Sequence, residues 1–243
     1  MAYSKGQDAV SFPPGIAISN GLYSDLESVH KFGYNDAVGT SFETIWAIGG
    51  PLNAFGALGA ETISVTSSDT ANDNGETVEV VGLDANYEEA TETVTIGAGA
   101  TTSTWRWINT MRMTSTGNTT THFSNAGDIS ATGSTSSAVG AKILANYGRT
   151  LQCVYRVPKG KRAHVMSVQG GSEKEKECLF RLMDFSAGVV NVRDIFSSYA
   201  APVTKHFEFG SLIFDQFDII NLQAKADATT GVYGSMEIIL EKR

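Results

Sequence analysis

The sequence predicts an all-β protein: two β-sandwich or jelly-roll-like modules preceded by an extended N-terminal arm. Three observations carry this expectation. Apolar and polar residues alternate with period two over 61–66, 76–80 and 91–96. That is the pattern of half-buried strands, and β-branched residues supply much of it. Clusters of Asn, Asp, Gly and Pro separate such runs at short intervals, as turns do in sandwiches and barrels. Helical periodicity is almost missing. The expected division is an arm over 1–58, a Thr/Ser-rich β-module over 59–140 and a second β-module over 141–243.

The arm comes first. Ser11-Phe12-Pro13-Pro14-Gly15 favours extended or turn backbone, and residues 25–30 suit one short helical turn. Between Val29 and Gly50 the chain carries Phe32, Tyr34, Phe42, Ile45 and Trp46, interrupted by Gly33, Gly39, Gly49 and Gly50. No period there is long enough to make a core element. Aromatic surface on irregular backbone either wraps over its own domain or docks on a partner. Those five side chains are therefore the candidate partner-docking residues.

In the first module, residues 69–75 form a polar turn and residues 82–86 suit a short hairpin loop. Trp105, Trp107, Met111 and Met113 share one face of a strand, with Arg106 and Arg112 on the other. Core packing explains the two tryptophans; stacking platforms for sugar are the alternative. Residues 115–140 are of low complexity, with a strand at 128–132. Residues 136–146 are the best helix candidate. In the second module, Leu151, Cys153, Tyr155 and Val157 share one face. Pro158-Lys159-Gly160 reverses the chain. A charged loop at 173–177 precedes strands at 178–185, 189–195, 205–209, 216–224 and 234–241. No fixed repeat is present.

Charge narrows the function. The net charge is −8 and the pI about 5.0, which argues against nucleic-acid binding. Residues 1–140 hold 4 basic and 15 acidic side chains, about −11; residues 141–243 hold 14 and 11, about +3. Opposite ends could meet between neighbouring copies or on a partner. Arg156, Lys159, Lys161 and Arg162 form the densest basic cluster, either an exposed hairpin tip or a contact to an acidic surface of a neighbouring subunit. Cys153 and Cys178 are too few for a disulfide scaffold. Buried free thiols are expected, a disulfide being the alternative. Residues 1–10 lack the apolar stretch of a signal peptide, and no run reaches the length of a membrane-spanning helix. The chain is expected to be made in the cytoplasm, to stay soluble until it assembles and to avoid membranes.

Nothing looks catalytic. His30, His122, His164 and His206 lack metal-ligand spacing. The oxygen-rich run 69–76 lacks the spacing of an EF-hand. Gly160-Lys161 has no phosphate-cradling loop before it, and no Gly-x-Ser-x-Gly elbow occurs. Glu88-Glu89 sits in an expected turn, the wrong place for a tuned acid–base pair. No enzyme activity, cofactor or metal is expected.

Taken in order, His30-Lys31-Phe32-Gly33-Tyr34-Asn35, Glu43-Thr44-Ile45-Trp46 and Gly49-Gly50 resemble an N-terminal signature of tailed-bacteriophage virion structural proteins. The strands at 61–70, 78–86 and 92–96 fit that family's strand–turn–strand pattern, and Tyr155-Arg-Val-Pro-Lys-Gly-Lys161 resembles its later hairpin. Ala47 departs from the pattern, where an acidic residue often follows the tryptophan. The resemblance covers most of 29–171; residues 172–243 match no known pattern. It implies a non-enzymatic virion protein, assembled in the host cytoplasm and attached in many symmetric copies to the particle exterior. Its partners would be capsid, portal, neck or tail proteins and further copies of itself. A neck or collar position and capsid decoration at threefold sites both fit. The rival from another class is a host-glycan-binding fibre or receptor-binding module.

Overall fold

The computed structural model describes Ile18 and residues 21–52, 59–115, 124–186 and 188–243. In chain order the strands are β1 (Leu26–Val38), β2 (Glu43–Thr44) and β3 (Ile63–Ser67). A four-residue helix follows, α1 (Thr70–Asp73). Next come β4 (Thr77–Asp84), β5 (Glu89–Thr95), β6 (Trp105–Met113), β7 (Ile129–Gly133) and β8 (Val139–Ile143). The last group is β9 (Val154–Arg156), β10 (Lys161–Ser172), β11 (Glu177–Ser186), β12 (Val189–Tyr199), β13 (Val203–His206), β14 (Ile213–Phe214), β15 (Ile219–Ala226) and β16 (Thr230–Lys242). The fold is all-β, as the alternation predicts.

Among the described residues four sheets form, and their ladders are antiparallel. One runs β1-β16-β10-β13, with β14 also on β10. A second runs β12-β11-β15-β2, with β9 sharing the β2 side of β15. The other two are β3-β7-β8 and β5-β4-β6.

Two apolar cores result. A terminal core gathers Val38, Ile45 and Cys153 with the inward residues of β9–β11 and β14–β16, among them Phe180, Leu222 and Ile238. A central core gathers the inward residues of β3–β8, including Trp105, Trp107 and Met111. The sheet built on β15 belongs to both. Tyr155 and Ile220 face the terminal core, while their chain neighbours Val154 and Ile219 face the central one. Successive strand residues point to opposite faces, so a strand covered on both sides buries both, and its polar side chains need internal partners, as Asn221 finds in Thr44 Oγ1 and Gln223 in Arg181. β15 is buried at every position except Lys225.

Several expectations change. Residues 26–38 are neither irregular nor helical. They form β1, paired with β16 from Leu26↔Glu241 to Asn35↔Val232. Its inward face carries Lys31, Gly33 and Asn35, while Phe32 and Tyr34 face outward and are half-buried. That inverts the usual apolar-in pattern and hides the strand. Gly33 is required where β1 crosses the shared sheet: a Cβ there would lie 2.1 Å from the Ile45 carbonyl oxygen and 2.5 Å from the Cys153 nitrogen.

Residues 26–38 of the expected arm are thus a strand of the terminal core, and the chain leaves that core after β2 and re-enters it at β9. The expected boundary at 140/141 falls inside β8. β8 also replaces the helix expected over 136–146; Ala141 and Ile143 are fully buried against β7, so tertiary packing overrides a weak helical pattern. The expected loop at 82–86 is shorter. β4 runs on to Asp84, whose Oδ1 accepts the amides of Asn86 (2.8 Å) and Glu88 (2.9 Å). Gly82 lies inside the strand because a Cβ would come within 2.1 Å of the Trp107 carbonyl oxygen.

Candidate functional site: the aromatic segment, the basic cluster and an exposed edge strand

The five candidate docking residues do not form one surface. Ile45 and Trp46 are buried, at 0% and 1% exposure, in the terminal and central cores respectively. The backbone explains their placement. The Ile45 amide donates to Leu222 (3.1 Å), and the Ile45 carbonyl accepts from Cys153 (2.8 Å). Alternation then turns the next side chain, Trp46, to the other core. Its indole Nε1 donates to the carbonyls of Gly49 (3.0 Å) and Gly50 (3.2 Å). Both glycines have left-handed φ, +77° and +71°, which lets the chain fold back over the ring at no steric cost. Glu43 closes the loop by accepting the Gly50 amide (3.0 Å) and the Gly39 amide (3.3 Å). Ile45 and Trp46 are therefore corrected from docking residues to junction residues.

Phe32, Tyr34 and Phe42 stay half-exposed and engaged. The Arg149 guanidinium lies 4.7 Å from the Phe32 ring centroid. Tyr34 donates its hydroxyl to Glu173 (2.7 Å); burial and that carboxylate push the phenol above its ordinary range. Phe42 carries Arg181 at 3.9 Å and Lys225 at 5.2 Å. Phe32 and Tyr34 thus lie on the outer face of β1, whereas Phe42 covers β11 and β15 of the other sheet.

The basic cluster is also committed internally. Lys161, with its side chain 9% exposed, sits between Glu27 (2.7 Å) and Glu89 (2.5 Å). Burial alone would lower its pKa, but the hydrogen bonds it donates to Glu27 and Glu89 outweigh that and raise it. Glu27 is held below the carboxylate range, first by its hydrogen bond with Lys161. Lys159 pairs with Glu88 (3.0 Å) and Arg162 with Asp215 (3.3 Å). Arg156 donates to the Phe217 carbonyl (3.2 Å) and lies 4.6 Å from the Tyr87 ring centroid; burial lowers its pKa. The cluster is not a free hairpin tip. It clamps the β4–β5 turn against the β9–β10 turn. Acidic and basic halves do meet at Lys159–Glu88 and Lys161–Glu89, within one chain.

Neither Trp105 nor Trp107 is exposed at all, which removes the proposed sugar platform. The Trp107 indole donates to Asn109 Oδ1 (2.9 Å). The oxygen-rich turn after β3 engages Asp69 and Asp73 in hydrogen bonds within the protein. Asp69 caps α1, and buried Asp73 accepts from Ala126 N (2.7 Å), Gly127 N (2.8 Å) and Ser67 Oγ (2.5 Å). Cys153 and Cys178 are buried free thiols. The Asn118-Thr119-Thr120 sequon and His122 lie outside the described residues.

Two features escaped sequence reasoning. Lys31 is buried on the inward face of β1, its Nζ donating to the Asn109 carbonyl. Burial, opposed by Cys153 and helped by neighbouring Arg149, pulls its pKa down to about 7. The other is β12. Among the described residues it pairs only with β11, and its Val189, Val190, Val192, Ile195 and Tyr199 are 48–66% exposed. The run Val189-Val190-Asn191-Val192 reads as a core strand, and nothing local reveals that neither face is covered.

Among the described residues no group of three or more His, Cys, Asp and Glu could hold a metal ion, and no helix is long and apolar enough to cross a membrane. In comparisons with known proteins, no family model and no curated protein matches the sequence.

Proposed function

We propose that this chain is a non-enzymatic structural subunit that works by covering surfaces. In the most specific form of this reading it is a virion protein of a tailed phage, attached in several copies to the particle exterior at the neck or collar. The observation that carries the subunit reading is β12, an 11-residue edge strand with five large apolar side chains about half exposed or more. Natural sheets blunt such edges, because unpaired backbone beside apolar side chains recruits another chain. The ordered motifs over 29–171 supply the phage assignment. The two cores are read as sandwich-like modules fused through a shared sheet.

Burial of Trp105 and Trp107 takes the best platform away from a glycan-binding fibre. Capsid decoration at threefold sites remains the alternative placement. The test is copurification: particles from infected cells should carry the protein stoichiometrically through a density gradient. Tens of copies per particle would place it at the neck or tail, and hundreds on the shell. Purified particles free of the protein would overturn the virion reading.

A further inference from the structure

We propose that β12 is the self-association edge of this protein and that its occupant is β12 of a second copy, paired antiparallel about a twofold axis. The proposal rests on the subunit reading but not on the kind of particle. Joining two such edges would continue the β12-β11-β15-β2 sheet of one copy into that of the other.

The first argument is the edge itself. β12 spends one side of its backbone on β11, from Glu177↔Tyr199 to Ser186↔Val189. Among the described residues no strand pairs with its other side. A bulge at Arg193, between the pairs Leu182↔Asp194 and Met183↔Val192, separates the two ends. From Val189 to Arg193 every residue is exposed, so both faces of that stretch are open.

The second argument is charge, and it selects the occupant. Each copy carries −8, so two copies repel unless they meet where charge cancels. On β12 it cancels locally. Arg193 turns back to Asp184 (3.4 Å) and the Ile213 carbonyl (3.2 Å), and Asp194 is held by Lys205 (2.6 Å). The charges that would otherwise guard an edge strand are drawn inward. What remains outward is Val189, Val190, Asn191 and Val192, a neutral stretch. A partner recognised by charge has nothing to read there, whereas an identical neutral strand fits. A twofold axis near Asn191 sets Val190 opposite Val192 of the second copy in both directions, β-branched pairs that stabilise neighbouring strands.

Area sets the strength. With the axis near Asn191 the strands pair over 189–193, so the exposed Val189, Val190 and Val192 meet while Ile195 and Tyr199 fall outside the paired stretch; three half-exposed valines present roughly 200–250 Å². A standard interface buries about 800 Å² on each partner. The pairing is therefore of the small, transient class, and the dimer is expected to build up toward the high end of a concentration series.

The test uses the full chain in analytical ultracentrifugation across a concentration series. The wild type should form a dimer. Val190→Lys and Val192→Lys, at sites already half exposed, should keep the circular dichroism and melting temperature yet raise the dimer dissociation constant by about a hundredfold, because like charges then face each other. Thr91→Lys, on exposed β5, should leave the dimer intact. Asn191→Cys should cross-link as a covalent dimer under mild oxidation. A monomeric wild type overturns the proposal, as does a dimer indifferent to both lysines. So does a larger closed ring, which would require a head-to-tail contact. A monomer that nonetheless copurifies with particles removes this interface and leaves the virion reading standing. A β12 dimer missing from particles does the reverse.

Discussion

Replacing Lys31 with methionine should stabilise the protein at neutral pH, and the gain should fade as pH rises. Lys31 is 6% exposed. Its ammonium has the Asn109 carbonyl as acceptor, Arg149 and Cys153 as its charged or titratable neighbours, and no ion-pair partner among the described residues. Taking an ammonium out of water without a counter-ion disfavours its charged form, which brings the pKa from 10.5 to about 7. A difference of that size corresponds to about 5 kcal/mol of differential stability. The unfolded chain binds more protons than the folded one between pH 7 and pH 10.5, so stability rises with pH across that window. The penalty is fully present below about pH 7 and gone above about pH 10.5. Methionine abolishes the titration and fills similar volume. It loses one hydrogen bond, about 1 kcal/mol, but the Asn109 carbonyl keeps Gln152 Nε2 as a donor at 2.8 Å. Lys31→Met should therefore gain roughly 3–4 kcal/mol near pH 6.5 and lose about 1 kcal/mol above pH 10.5. Urea unfolding of both proteins at pH 6.5, 8 and 9.5 measures the difference. A stability difference independent of pH, or a variant weaker than wild type at pH 6.5, would refute the reasoning.

Two further outcomes follow from the junction. Gly33→Ala places a methyl within 2.5 Å of two backbone atoms that cannot move without breaking the shared sheet. It should cost about 3 kcal/mol or more, whereas Gly39→Ala, whose Cβ meets only a side-chain atom at 3.8 Å, should cost under about 1 kcal/mol; equal melting temperatures would contradict this. Cys153 and Cys178 are both fully buried, and burial raises the pKa of each thiol. Both should resist a thiol-titrating reagent in the native protein and react in urea, and modification of either at the rate of a free thiol under native conditions would count against the structure.

What the sequence made legible is what alternation encodes. The strands at 61–66, 76–80 and 91–96 lie where period two places them, because each has one apolar and one polar side; in β6 a bulge between Trp107 and Met111 breaks the period, and Ile108 is buried with them. Reading fails where that contrast is lost. β1 turns Lys31, Gly33 and Asn35 inward, since a second layer of protein crosses it there and leaves room for glycine alone. Ile45 and Trp46 look like neighbours on one docking patch, yet they point into opposite cores because both faces of their sheet are covered. β12 fails in the other sense: its valines have the composition of a core strand and no core to enter. Which faces are covered is a property of the assembled layers, and a local window does not contain it.

The residues that carry the resemblance to phage virion proteins can now be weighed by the constraint on each. Gly33 is held by a carbonyl 2.1 Å from its missing Cβ. Gly49 and Gly50 are held by left-handed backbone and by the Trp46 indole. Ile45 is held by paired backbone and full burial. These are steric demands of building one sheet between two cores, and they apply whatever the protein binds. β12 is under no such demand: its exposed positions accept many side chains without disturbing the fold. The junction alone therefore explains the 29–50 segment, and under the proposed reading β12 is where a partner would be chosen.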